Sequence, residues 1–349
     1  MIRLSSLCLL LAAACATTPE PEPAVVTPAT PVGHASKAAP EPAPSKKEVM
    51  STYAHLENTD LPDFDEWWKG GKPPEVEKKF RELLPRARKE GSADYTVQLL
   101  TQLARTRGLR GEFKDSHEIL DEVERMLTPD MQVARTRYLL ERGRAFNSDN
   151  QPHMGRTLFS EAWETARNAH SDFYAVDAAH MLAIVEEAGS KLQWNLKAME
   201  VAEASEDPRA RGWLSAIYNN IGWDYFAEEK YEQALEIFHK AEDYNRDEAK
   251  ERWTQINRWS VAKTLRVLGQ VEEALAIQEQ LDSEYEASGG ERTGYTYEEL
   301  GECLLLLDRK EEAGKNFALA YERLSKDPWL VREEPERIAR LKQLGGVSD

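Results

Sequence analysis

Apolar positions along most of this chain recur at helical spacing, and they do so in a unit about forty residues long. In the stretch SAIYNNIGWDYFAEEKYEQALEIFHKAEDY, Ser215 to Tyr244, one stripe holds Tyr218, Ile221, Gly222 and Tyr225. A second holds Tyr231, Ala234, Leu235, Phe238 and Ala241. Gly222, Ala234 and Ala241 carry almost no side chain, so two helices can approach closely there, with the aromatic rings filling the space on either side. The same context returns six times, at Ala104, Gly143, Ala183, Gly222, Ala262 and Gly301, at intervals of 39, 40, 39, 40 and 39 residues. A period of this length predicts stacked helical pairs, each of which needs its neighbours to bury its apolar face.

These residues resemble the tetratricopeptide repeat, with Ile221, Gly222 and Tyr225 on its helix A and Ala234, Phe238 and Ala241 on its helix B. The helix B triplet becomes Ala313, Phe317, Ala320 in the last copy, Gly155, Phe159, Ala162 in the second and Asn195, Met199, Ala202 in the third. The first copy (Ser116, Leu120, Val123) and the fifth (Ala274, Gln278, Leu281) fit less well. The family's usual repeat is about 34 residues, so a longer period implies longer helices or turns, as in repeats of the kinesin-light-chain type. The resemblance implies an all-α, right-handed solenoid of about six helix-turn-helix repeats over residues 96–328. An acidic-aromatic segment and a helix precede it over 49–95, and a capping helix follows over 329–349, with Pro335 in a helical first turn.

The N-terminal end differs in composition. Residues 1–14, MIRLSSLCLLLAAA, carry one cation and an apolar run too short to span a bilayer, which predicts an export signal. Cys15 follows Leu11-Ala12-Ala13-Ala14 and resembles a bacterial lipobox, which implies an acylated Cys15 and, with Ala16 next, an outer-membrane anchor facing the periplasm. The alternative is ordinary cleavage after Ala14 or Ala16, leaving a soluble periplasmic or secreted protein. From residue 15 to 48 the chain is rich in Pro, Ala, Thr and Glu, too poor in apolar bulk to fold, and is expected to act as a tether. If fully extended it reaches about 90 Å.

Charge and cysteine content narrow the functions. The net charge of −17 repels phosphate backbones, which argues against nucleic acid as a partner. Of three cysteines, Cys8 would leave with the signal and Cys15 would carry lipid, so Cys303 is expected to remain as a small packing residue. No G-x-G-x-x-G, P-loop, G-x-S-x-G or H-E-x-x-H motif occurs and the seven histidines lack metal-ligand spacing, so neither a catalytic residue, a metal nor a cofactor is expected.

In tetratricopeptide solenoids helix A lines the concave surface, at positions set relative to its small residue. Carried onto this chain, that placement implies a groove containing Arg137, Arg144, His180, Asn219, Asn220, Trp223, Phe226, Trp259, Lys263 and Arg266, basic and walled by aromatic rings. Packing between neighbouring A helices is the alternative role for the tryptophans. The groove's expected ligand is a protein or an extended peptide, acidic and aromatic in character. The chain itself contains such a segment, DLPDFDEWW, Asp60 to Trp68, read either as a cap over the first repeat or as an occupant of the groove. The function implied is a non-enzymatic scaffold or adaptor in the bacterial envelope. A structural oligomerisation module and an enzyme with a site assembled across repeats are the alternatives.

Overall fold

Helices make up the regular structure of the computed structural model, which describes residues 60–186, 188–248, 250–288 and 293–348. The signal, Cys15 and the tether lie outside the described residues. The chain divides into two compact units, with the boundary between Gly212 and Trp213.

The first unit opens with a 3-10 turn, Phe64–Trp68, and helix α1, Pro73–Glu90, which starts on two prolines where no helical N–H is needed. Three helical pairs follow: α2 (Ala93–Gly108) with α3 (Phe113–Met126), α4 (Gln132–Ser148) with α5 (Pro152–Asn168), and α6 (Asp172–Val185) with α7 (Ala188–Ala204). A five-residue helix α8, Pro208–Gly212, closes the unit. The second unit repeats the scheme with α9 (Leu214–Ala227) and α10 (Tyr231–Asp247), α11 (Glu251–Val267) and α12 (Val271–Ser288), and α13 (Gly294–Leu306) and α14 (Lys310–Leu324). Its end is covered by α15 (Pro328–Glu333) and α16 (Pro335–Leu344), which bury Leu330, Ile338 and Leu341.

The period encodes a close contact inside each pair. A Cβ added at Gly222 would fall 2.7 Å from two carbons of the Phe238 ring. One added at Gly143 would meet Phe159 at 2.8 and 2.9 Å, and one at Gly301 would meet Phe317 at 2.9 to 3.1 Å. The rings themselves are fully buried, so the glycines exist to let an aromatic side chain lie directly on the helix A backbone.

The period also encodes the turn. Seven residues after the small residue, five of the six copies place a residue in the left-handed region: Gly111, Asn150, Glu229, Gly269 and Asp308. Each turn is closed by an N–H reaching back to the fifth-preceding carbonyl, as in Lys230 to Tyr225 at 2.9 Å and Arg309 to Leu304 at 2.9 Å. This satisfies carbonyls that a helix C-terminus otherwise leaves unpaired.

The third repeat departs from the scheme. Its helix A stops at Val185 and its helix B starts at Ala188, five residues after Ala183, where the other copies leave nine. Helix B is therefore displaced by about one helical turn. Asn195 and Ala202 are buried as expected, but Met199 is only half-buried and Ala198 takes the fully buried place.

Candidate functional site

The ten expected groove residues divide between the units: Arg137, Arg144 and His180 in the first, the other seven in the second.

In the first unit, Arg137 projects from α4 and is 3% exposed. Its guanidinium donates to both carboxylate oxygens of Asp65 at 2.6 and 2.7 Å, to the Tyr174 hydroxyl on α6 at 2.7 Å and to Gln98 Oε1 on α2 at 3.3 Å. Its guanidinium carbon lies over the rings of Phe64 and Tyr174, at 5.3 and 5.5 Å from the centroids. Burial alone would raise the Asp65 carboxyl, but the Arg137 charge outweighs it and holds that carboxyl below the usual 3.8. Arg137 is in turn held firmly cationic, burial being overcome by Asp65.

Asp65 belongs to the acidic-aromatic segment, so the structure seats that segment on the A helices of the first two repeats. Trp68 donates its indole N–H to Gln102 Oε1 at 2.9 Å and lies 5.7 Å from the Arg105 guanidinium. Phe64 is fully buried, edge-on to Tyr95 of α2 and Phe80 of α1, and the Tyr95 hydroxyl donates to the Pro62 carbonyl at 2.7 Å.

Arg144 joins a second network along successive A helices. Arg105 and Arg144 both donate to Glu141, at 2.9 and 2.7 Å, and Arg144 also pairs with the buried Asp177. His180 follows Asp177 on α6, and burial pushes its imidazole down to about 4, so it is neutral at pH 7.

In the second unit, Trp223 and Trp259 are 3% and 8% exposed. Trp223 packs against Phe226, Phe238 and Trp259 at ring-centroid distances of 5.3, 5.1 and 5.9 Å. Its N–H donates to the buried Asn219 at 3.2 Å, and that of Trp259 to the Tyr295 carbonyl at 3.3 Å. Asn219, Trp223, Phe226 and Trp259, expected to line a groove, are thus part of the packed interior. Asn220, beside them, is half-buried.

The cations of this unit are paired as well. Lys263 and Arg266 converge on Glu299, which is 1% exposed. Burial would raise the Glu299 carboxyl, but the two cations outweigh it and hold it below the usual range. The capping helix adds Arg337 on Glu298 at 2.9 Å and Arg340 on Glu302 at 3.0 Å. The positive charge expected from the sequence is therefore matched by Glu141, Asp177 and Glu299, which the sequence reading did not single out. A repeated spacing could have revealed two of these pairs: Arg105 to Glu141 and Lys263 to Glu299 are both 36 residues apart.

Among the described residues no group of His, Cys, Asp and Glu could hold a metal ion, and no helix is long and apolar enough to cross a membrane. Cys303 is fully buried, and burial pushes its thiol up to about 12.

No family model and no curated protein matches the chain. Solved structures do. RapI in its apo form is similar over 87% of this chain and 82% of its own, with a TM-score of 0.64 at 13% identity. A signal transduction ATPase with numerous domains and a tetratricopeptide repeat sensor, from Pyrococcus horikoshii, is similar over 78% of this chain, with a TM-score of 0.61 at 15% identity. The present chain spans 42% of that protein. The C-terminal part of a repeat protein from Cytophaga hutchinsonii is similar over 77% of this chain and 97% of its own, with a TM-score of 0.50 at 13% identity. Paired helices, small-residue contacts and similar solved structures agree: the chain has the tetratricopeptide-repeat fold.

Proposed function

We propose that this protein is a non-enzymatic scaffold, anchored in the bacterial envelope through a lipid on Cys15, that binds an extended segment of a partner protein on its A-helix surface. The observation that carries this reading is the seating of Asp65 and Trp68 on Arg137, Gln102 and Arg105. A surface that holds one acidic-aromatic segment, a single 3-10 turn, through side chains has the chemistry to hold another. The matched cations and acids on the other A helices favour a partner that is polar and mixed in charge, since each pair can re-form around an incoming opposite charge. Fold alone does not name a partner.

The test is photo-crosslinking in intact cells from Asn220, on the A-helix side, with Glu236 on the exposed side of α10 as control. A discrete heterologous adduct from Asn220 and none from Glu236 is expected. Adducts only with a second copy of this chain would overturn the adaptor reading in favour of an oligomerisation module. Cys15→Ala is expected to move the folded protein from the membrane fraction to the soluble one, and unchanged fractionation would overturn the anchor.

A further inference from the structure

We propose that residues 62–68 are a built-in ligand, occupying the A-helix surface of the first two repeats in place of a partner segment of the same chemistry. That chemistry is an aromatic ring, a carboxylate on the next residue, and an indole three residues after that: Phe64, Asp65 and Trp68. The proposal rests on the reading of this surface as the binding face.

The first argument is the ion pair. A cap over an exposed repeat has only to cover apolar surface, and apolar side chains do so without desolvating ions. Here a guanidinium that is 3% exposed is held ready by Tyr174 and Gln98, from the A helices on either side of its own. Its carboxylate comes from a segment 72 residues away in sequence. Three A helices have thus built a carboxylate receptor, filled by a residue that belongs to none of them.

A second argument is the polar handle on Trp68. Its N–H meets Gln102 and its ring faces Arg105, so the position selects an indole over a plain apolar ring.

The third argument is separability. The segment is a single 3-10 turn whose closing backbone bond is local, Lys69 to Glu66. Among the described residues its backbone makes no backbone–backbone hydrogen bond to the repeats. It joins α1 through Lys69–Lys72, with Gly70 in the left-handed region at φ 74°. A partner would have to replace these side chains and the bond from the Tyr95 hydroxyl to the Pro62 carbonyl, but would break no helix, and the exchange turns on this linker.

The experiment uses the full chain and a fluorescent peptide of sequence DLPDFDEWWK, followed by anisotropy. Wild type is expected to bind weakly, and Phe64→Ala with Trp68→Ala to bind at least about tenfold tighter by vacating the site. Adding Arg137→Gln to that variant should remove the gain. A folded double variant that binds no better than wild type overturns the proposal. Should that variant lose its cooperative melt, hydrogen exchange on the wild type decides: amides 64–69 are expected to exchange about a hundredfold faster than the core of α2. Equal protection would make the segment a permanent cap and overturn the proposal. A heterologous adduct from Asn220 that survives either failure leaves the scaffold reading standing.

Discussion

The contact between Gly222 and Phe238 gives a quantitative test of how the repeat is built. Alanine in place of a helical glycine gains about 1 kcal/mol of backbone stability when nothing else changes. At Gly222 the new Cβ would lie 2.7 Å from two carbons of a fully buried ring, where carbon pairs prefer about 3.5 to 4.0 Å. Relieving such an overlap typically costs about 1 to 3 kcal/mol. The net expectation for Gly222→Ala is a loss of up to about 2 kcal/mol, similar for Gly143→Ala and smaller for Gly301→Ala, whose contacts begin at 2.9 Å. The chain itself shows the compensation. Where helix A carries alanine in a repeat of regular offset, at Ala104 and Ala262, the residue sixteen positions on is Leu120 or Gln278, not an aromatic ring. Phe238→Leu alone should destabilise by about 1 to 3 kcal/mol through the cavity it leaves. Combined with Gly222→Ala it should restore part of the loss, with a coupling of about 1 kcal/mol or more. Urea denaturation followed by circular dichroism on the four proteins of this cycle measures that coupling. A Gly222→Ala variant more stable than wild type, or strictly additive losses, would refute the argument.

Gln278 occupies a ring position in the fifth repeat, fully buried with neither amide atom hydrogen-bonded among the described residues, so Gln278→Met should raise the thermal midpoint through about 1 to 3 kcal/mol. Glu229 holds φ at 59°, and Glu229→Gly should stabilise by up to about 1 kcal/mol in the same melt. Glu299→Gln should destabilise by about 1 to 3 kcal/mol by leaving Lys263 and Arg266 without their shared carboxylate, read as a lower urea midpoint. Burial depresses His180 to about 4 from 6.5, so the unfolded chain takes up its proton first. Its contribution is full above pH 6.5 and is lost as pH falls towards 4; His180→Gln should flatten that part of the urea-midpoint profile.

The helical pairs were legible because their determinants are local. A glycine on one helix and a phenylalanine sixteen residues later lie within a single repeat, and the apolar stripes around them keep helical spacing. Left-handed turns were half legible: Gly111 and Gly269 advertise the conformation, whereas Asn150, Glu229 and Asp308 adopt it because the period requires a turn there. The third repeat was opaque for a different reason. Its early helix B is offset by extra chain around Pro208–Gly212, so the small residues stay 39 apart and the displacement leaves no mark on the period.

The groove was harder to read because its residues satisfy one another before they meet a ligand. Positions chosen relative to the small residue bring side chains of neighbouring A helices together, so two large rings there pack on each other, as Trp223 and Trp259 do at 5.9 Å with a 42° tilt. Charges at such positions behave in the same way: Arg105 finds Glu141 and Lys263 finds Glu299. A count of cations and aromatics on helix A therefore overstates what is left for a partner. Arg137 differs in kind, because its carboxylate comes from outside the repeats, on a segment whose backbone makes no backbone–backbone hydrogen bond to them among the described residues. A binding residue in such a fold is better recognised by how its counter-charge is attached than by its own exposure.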